Sequence, residues 1–320
     1  MVLENNSTHH QAILDIGSNS FHFVVYQIEK DRSFSVVLRK RIVYRLALQK
    51  QNGKSFLSEE DFAQAEKIIR ELNEIAKSFS CTITATATSA VREATNVKEF
   101  LSYLRQNTGL QVEVISGERE AILIYKAILY SETDALFKNI LCLDIGGGST
   151  EFILGSIGKI VFIESLKLGA VRLSSNIFPN GELNDPRIQD CRDTIAKEVH
   201  PLIDKLASFK VDLVTGNSGT IHAVKNLAIT NSIFLAIQNQ NAAILTREEL
   251  DKVVELLLTK KSIEERKAIP GIELDRADVL PAGALILQII FHELKLSQLH
   301  LSDFSIREGK LLEVLEGYES

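Results

Sequence analysis

The chain has few cysteines, no basic excess and no long apolar run, and each lack closes off a class of function. Cys81, Cys142 and Cys191 are the only three cysteines; they stand far apart and form no CxxC pair. A disulfide framework and a zinc site are therefore not expected, and Cys142 reads as a small core residue. The net charge of -6 argues against a general nucleic-acid binder, which is usually basic. A local basic cleft on an acidic protein still suits a polyanionic ligand. The longest apolar-rich stretch, 279–291, is 13 residues long and is interrupted by Pro281, Gly283 and Gln288. That is too short to span a bilayer. Residues 1–11 are polar and show no apolar core, so a secretory signal is not expected either. There is no low-complexity tract and no short-period repeat. The expectation is a cytoplasmic protein with neither nucleic acid nor membrane as a partner.

The composition is that of a soluble globular protein, 45% apolar and 24% charged, and 320 residues suffice for two domains with separate cores. Segments 12–16, 21–28 and 34–44 are rich in Val, Ile and Phe and read as strands. A helix is expected over 58–79, with Ser58 and Asp61 as its capping box. A strand at 82–87, a helix at 97–106, a strand at 112–115 and a helix at 118–130 complete an α/β domain over 1–130. The polar interruption 131–138 marks the expected boundary. The second domain, 131–320, restarts with strands 140–145, 151–154 and 159–165. A helix at 186–206, a strand at 211–215 and the turn 216–220 follow. Two more helices open with the boxes Thr246/Glu249 and Ser262/Glu265. A long apolar helix over 277–295, a strand at 298–301 and a last short helix end the chain. That last helix is free to pack back on the first domain. Both halves open alike, with strand, Asp-Ile-Gly loop, strand, charged turn and strand, which suggests an internal duplication.

The candidate chemistry starts at these two loops. Asp15-Ile16-Gly17-Ser18-Asn19-Ser20 and Asp144-Ile145-Gly146-Gly147-Gly148-Ser149-Thr150 each follow an apolar strand. Such loops turn backbone N–H groups and hydroxyls toward an anion. The leading aspartates, Asp15 and Asp144, suit a divalent cation, since Mg²⁺ takes one or two carboxylates together with substrate phosphate. A hairpin turn accounts for Gly17-Ser18-Asn19-Ser20 equally well. The triple glycine is harder to explain that way, because three adjacent glycines cost backbone entropy and suit close approach to a ligand. Neither loop is a Walker A sequence, and no GxGxxG opens a helix. In Ser116-Gly117-Glu118-Arg119-Glu120-Ala121, Ser116 reads as an N-cap, and one of the two glutamates is available as a base for a water that attacks phosphorus. Arg92 reads as a surface arginine or a bidentate phosphate clamp. Arg39-Lys40-Arg41, with Arg45 beyond, reads as a solvated strand face or a guide for a phosphate chain. His22 reads as a packed side chain. Gly216-Asn217-Ser218-Gly219-Thr220 reads as an anion or nucleotide turn or a plain connection.

Taken together, Leu14 to Ser20, Ser116 to Ala121 and Asp144 to Glu151 resemble the exopolyphosphatase / guanosine pentaphosphate phosphatase (Ppx/GppA) family. The resemblance continues through Gly216-Asn217-Ser218-Gly219-Thr220, Arg276-Ala277-Asp278 with Ala282-Gly283, and Arg307-Glu308-Gly309, so it spans nearly the whole chain. It implies the two-domain actin-like fold of the ribonuclease H-like and sugar-kinase superfamily, with the active site in the interdomain cleft. It implies Mg²⁺-dependent hydrolysis of a terminal phosphoanhydride of inorganic polyphosphate or guanosine pentaphosphate. By motif position Glu120 matches the water-activating glutamate and Arg92 the phosphate-contacting arginine. Asp144 and Glu151 match acidic residues tied to metal and catalysis, and the two glycine loops match the phosphate cradles. A homodimer is compatible with the resemblance. Two departures stand out. Ala47-Leu48-Gln49 replace the glycines usual after Arg45-Leu46, and no HD-type domain follows Gly309. The second departure implies weaker processivity on long polymers. The rival expectations are an ATP-dependent kinase or ATPase of the same fold, and a polyphosphate or alarmone sensor without turnover.

Overall fold

The computed structural model describes residues 9–46, 49–51, 54–132, 138–233 and 243–317. Its internal contacts divide the chain into two units. One runs to Leu123 and takes in the residues from Ile306 onward; the other is Ile124–Ser305. Most of the polar interruption expected as a boundary (133–137) lies outside the described residues, as do Ala47 and Leu48.

The first unit holds a mixed sheet of β1 (His9–Ile16), β2 (Ser20–Ile28), β3 (Phe34–Val43), β6 (Ile83–Ala87) and β7 (Val112–Val114), in the order β3-β2-β1-β6-β7. The pair β4 (Gln49–Gln51) and β5 (Lys54–Phe56) forms a separate hairpin that the sequence did not announce. Helices α1 (Glu59–Ser78), α2 (Ser89–Glu93), α3 (Val97–Thr108) and the start of α4 (Gly117–Ser131) belong to this unit. α1 begins at the Ser58/Asp61 capping box that its sequence calls for.

Side chains alternate across a strand, and here both faces are apolar. Ala12, Leu14, Ile16, Phe21, Phe23 and Val25 pack with Ile69 and Leu72 of α1 and Phe100 and Leu104 of α3. The opposite face carries Ile13, Val24, Tyr26 and Ile28. It is covered by Leu311 and Leu315 of the last helix, Ile306–Gly317. That helix therefore brings residues from the far end of the sequence onto the face that also bears Asp15.

The second unit repeats the plan. Its sheet contains β8 (Asn139–Ile145), β9 (Thr150–Ser156), β10 (Lys159–Leu166), β11 (Leu213–Gly216), β12 (Ile244–Thr246) and β13 (Gln298–Leu301), in the order β10-β9-β8-β11-β13-β12. In both units three antiparallel strands are followed by a parallel neighbour: β1 beside β6, and β8 beside β11. The repeated opening seen in the sequence is thus repeated in topology. Among the described residues its helices are α5 (Ala170–Ile177), α6 (Asp185–Ala207), α7 (Gly219–Thr230), α8 (Arg247–Thr259), α9 (Ile263–Lys267) and α10 (Leu280–Glu293). The last helix of the chain, Ile306–Gly317, is α11. Thr246/Glu249 and Ser262/Glu265 form full capping boxes. α10 is apolar on almost every side and is correspondingly buried from Leu280 to Phe291. The helix expected over 277–295 is shorter at both ends, since residues 277–279 and 294–295 are turns. α5 is not among the expected elements, and the expected turn 216–220 runs into a helix, α7, that the sequence reading does not include.

Candidate active site

The two aspartate-led loops close in the same way. Gly17 N–H donates to Ser20 O at 3.1 Å, and Gly146 N–H donates to Ser149 O at 2.9 Å. A Cβ on either glycine would sit 3.1 Å and 3.3 Å from those same oxygens, tighter than most real contacts. In each case the aspartate lies two residues before the glycine, next to last in its strand. The residue seven positions beyond the aspartate, His22 or Glu151, faces it across the antiparallel pair.

The first loop is fixed by side chains. Ser18, Asn19 and Ser20 are all buried. Asn19 Oδ1 accepts from Arg45 Nε at 2.8 Å, and Ser20 Oγ lies 2.9 Å from His22 Nε2 and 3.5 Å from Arg41 Nε. Two members of the basic run therefore lean on the loop itself, while Lys40 pairs with Glu71. That alternation follows from β3 pairing with β2, where Arg41 faces His22 and Lys40 faces Phe23.

The second loop is held by backbone. Ala170 N–H donates to Gly146 O at 3.0 Å, and Val171 and Arg172 N–H donate to Gly147 O at 2.9 and 3.0 Å. Arg172 Nε adds a bond to Gly148 O at 2.7 Å. The start of α5 thus meets its unpaired N–H groups on the loop carbonyls. A Cβ on Gly169 would come within 2.5 Å of Gly147 and Gly148. Position 169 therefore has to be glycine for α5 to start against this loop. Ser149 and Thr150 are buried, and the Thr150 hydroxyl donates to Leu168 O.

Asp15 is the most perturbed carboxylate of the first unit. Burial pushes its pKa up to about 6; the Arg307 guanidinium opposes that rise and the Glu308 carboxylate adds to it. Its Oδ1 is sequestered and has no hydrogen-bond partner among the described residues. Glu308 is buried, accepts from Tyr26 OH at 2.6 Å, and lies 3.9 Å from Arg39. Burial first, and then Glu308, raise the Tyr26 phenol. Arg307, Glu308 and Tyr26 were not assigned a role from sequence. Arg307 and Glu308 stand in a quoted motif, but their meeting with Asp15 spans almost 300 positions and leaves no local signal.

Glu120 and Arg92 come together in the first unit. Arg92 Nη1 lies 3.2 Å from Glu120 Oε2 and 2.8 Å from Ile115 O. Their side chains are 23% and 13% exposed, so the pair is accessible without being fully solvated. Ser116 caps α4 by accepting from Arg119 N–H at 3.0 Å. Glu118 is exposed, which separates it from Glu120 where residue type alone does not.

In the second unit Asp144 is partly buried, and Glu151 opposite it is buried and accepts from Ser165 Oγ at 2.8 Å. Gly216 ends β11 and Ser218 caps α7 through Ile221 N–H at 3.2 Å. Thr220 Oγ1 donates to Ile145 O at 3.0 Å, tying α7 to the end of β8. Asn217 Nδ2 donates to Phe304 O at 2.9 Å.

Among the described residues no three His, Cys, Asp or Glu side chains gather into a metal-binding group. One or two carboxylates are all that Mg²⁺ asks of a protein when phosphate supplies the rest. Asp15 Oδ1, a hard oxygen donor with no partner among the described residues, fits that demand. No helix among the described residues is long and apolar enough to cross a membrane.

A family model described as the Ppx/GppA phosphatase family matches residues 24–317. The chain belongs to that family. It is 28% identical over 306 residues to the guanosine-5'-triphosphate,3'-diphosphate pyrophosphatase of Vibrio parahaemolyticus, covering 95% of this chain and 59% of that one. The same figures hold over 307 residues for the protein of that name from Vibrio campbellii. The chain thus spans well under two thirds of the length of these curated relatives. Among solved structures, the Aquifex aeolicus member of the Ppx/GppA family superposes with a TM-score of 0.77 at 28% identity, covering 98% of this chain and 100% of that one. An exopolyphosphatase from Cytophaga hutchinsonii gives 0.84 at 23% identity over 97% and 98% of the two chains, a likeness of fold. The family's architecture, two actin-like α/β domains, is the architecture of this chain.

Proposed function

We propose that the chain hydrolyses a terminal phosphoanhydride and releases orthophosphate, with inorganic polyphosphate or guanosine pentaphosphate as substrate. The observation that carries this reading is the 3.2 Å pair of Glu120 and Arg92 on elements beside an aspartate-led loop. A carboxylate held by one edge of a guanidinium keeps a second oxygen for a water proton. Glu120 is the base in this scheme: it orients the attacking water and takes its proton. Arg92 serves as a phosphate contact as well as the partner of Glu120, and its planar fork suits both roles. Backbone N–H groups and side chains of Gly17, Ser18, Asn19 and Ser20 cradle a phosphate group. Gly146, Gly147, Gly148 and Ser149 form a second cradle of the same kind, which Thr150 anchors. Asp15 and Asp144 are the residues to hold Mg²⁺, and Glu151 buttresses Asp144. When bound, the cation offsets charge on the phosphate oxygens. The names carried by the relatives support both substrates. The three free cysteines suit the proposed cytoplasmic setting.

The test is phosphate release from polyphosphate and from guanosine pentaphosphate, with and without Mg²⁺, for the wild type and Glu120→Gln. Gln is isosteric with Glu and keeps an amide oxygen to accept from Arg92, so the fold and substrate binding of the variant persist. Its turnover falls roughly 10²- to 10⁴-fold, the range of general-base catalysis. Near wild-type turnover in Glu120→Gln would remove the base from its role.

A further inference from the structure

Four buried polar atoms of the first unit have no hydrogen-bond partner among the described residues: Asp15 Oδ1, Asn19 Nδ2, Thr86 Oγ1 and Arg307 Nε. Folded proteins pair nearly all such atoms, so each orphan calls for a cause. These four are not scattered. Thr86 is the register partner of Asp15 on the neighbouring parallel strand. Partners in register send their side chains to the same face of the sheet. Thr86 itself is 1% exposed, so bulk water does not serve its hydroxyl. Arg307 acts electrostatically on Asp15 from the start of α11. Asn19 lies in the loop into which β1 runs, and Arg45 already holds its Oδ1.

The chemistry of the set is lopsided. Asn19 Nδ2, Thr86 Oγ1 and Arg307 Nε are donors with nothing to donate to, and Asp15 Oδ1 is an acceptor with nothing to accept. The nearness of Arg307 and Asp15 has not led Arg307 Nε to close on that oxygen. A guest that accepts several hydrogen bonds and brings a cation to the carboxylate meets all four needs at once. An oxyanion such as a phosphate group does this.

We infer that Thr86 and Arg307 are further contact residues of the first phosphate site, each donating a hydrogen bond to an oxygen of the bound phosphate group. This deepens the proposed function and rests on its assignment of the Asp15 loop to phosphate. Thr86 comes from β6 and Arg307 from the last helix, so three separate stretches of the chain build the site. In ordinary terms Thr86 is a β-branched strand residue whose hydroxyl is incidental. The two accounts differ in what happens when only the hydroxyl is removed.

Pyrophosphate and orthophosphate, each with Mg²⁺, are titrated calorimetrically into the wild-type chain and into Thr86→Val, Thr86→Ser and Arg307→Lys. Thr86→Val is expected to bind pyrophosphate about tenfold more weakly or worse, the effect of one hydrogen bond to a charged group. Thr86→Ser recovers most of that affinity. Arg307→Lys keeps the charge but loses the Nε donor, and it weakens binding by a similar factor. Without ligand, Thr86→Val melts at or above the wild-type temperature, because the deleted hydroxyl has no protein partner. Wild-type affinity in Thr86→Val overturns the inference, as does a lower ligand-free melting temperature that Thr86→Ser restores. A wild-type chain that binds neither anion overturns the underlying phosphate-site reading, and that outcome shows before any substitution is made.

Discussion

Replacing Gly309 by alanine sets two effects of opposite sign against each other. Gly309 lies inside α11, and helix propensity alone favours alanine there by about 1 kcal/mol. An added Cβ, however, would fall 2.0 Å from Leu123 O and 2.6 Å from Leu123 C. Those are backbone atoms of α4 and have no rotamer to retreat into. Overpacking of this kind costs typically 1–3 kcal/mol, and contact with a rigid backbone puts it at or above about 3. The net expectation is a loss of about 2 kcal/mol. At about 2–4 °C per kcal/mol for a protein of this size, the melting temperature drops roughly 4–8 °C. Gly317 is the matched control, since a Cβ there meets nothing within 4 Å. Gly317→Ala should melt within about a degree of the wild type. Thermal unfolding followed by far-UV circular dichroism reads all three proteins. Because α11 carries Arg307 and Glu308 to Asp15, Gly309→Ala should also weaken pyrophosphate binding at temperatures where it remains folded. A Gly309→Ala protein that melts at or above the wild type would show that α11 and α4 do not cross as closely as described, and the placing of Arg307 beside Asp15 would fall with it.

Other outcomes follow from individual contacts. Gly169→Ala drives a Cβ to 2.5 Å from the second glycine loop; phosphate release should fall by more than tenfold, with Gly317→Ala again as the comparison. Lys225 and Glu249 form a buried pair at 2.6 Å, 2% and 0% exposed; Lys225→Met strands the carboxylate and should cost about 3–5 kcal/mol in urea unfolding, and Lys225→Met/Glu249→Gln should recover part of it. Asp15 titrates near 6 when folded, against 3.8 unfolded. Between those values the folded chain holds a proton that the unfolded chain has released, so stability falls as pH rises from about 4 to 6, by at most about 3 kcal/mol. In chelator-containing buffer, Asp15→Asn should lack that slope and melt above the wild type at pH 7.5; identical pH profiles for the two proteins would contradict the burial of Asp15.

Local signals were the legible ones. Ser58, Thr246 and Ser262 announce helices because a capping box needs only four consecutive residues. The strand at Gln298–Leu301 matches its expected bounds, and the two Asp-Ile-Gly loops stand out by their repetition. Glu120 and Arg92 were singled out separately, and the structure brings them into contact. What escaped depends on distant partners. α5 has no side-chain cap; it starts because the carbonyls of Gly146 and Gly147 receive its first N–H groups. α7 does carry a capping serine, Ser218, but the glycines around it read as a turn. Thr86 looks like any strand threonine until the register sets it beside Asp15. Gly169 drew no notice in the sequence, because the close approach that demands a glycine there comes from Gly147 and Gly148, more than twenty positions earlier.

The first unit is assembled from both ends of the described chain, whereas the second is one continuous stretch. On the ribosome, Ile13, Val24, Tyr26 and Ile28 emerge early but wait for Leu311 and Leu315, made nearly 300 residues later. The contiguous unit is free to fold first, while the earlier-made sheet keeps one greasy side bare. A nascent chain stalled before Ile306 should therefore be the species that chaperones hold longest.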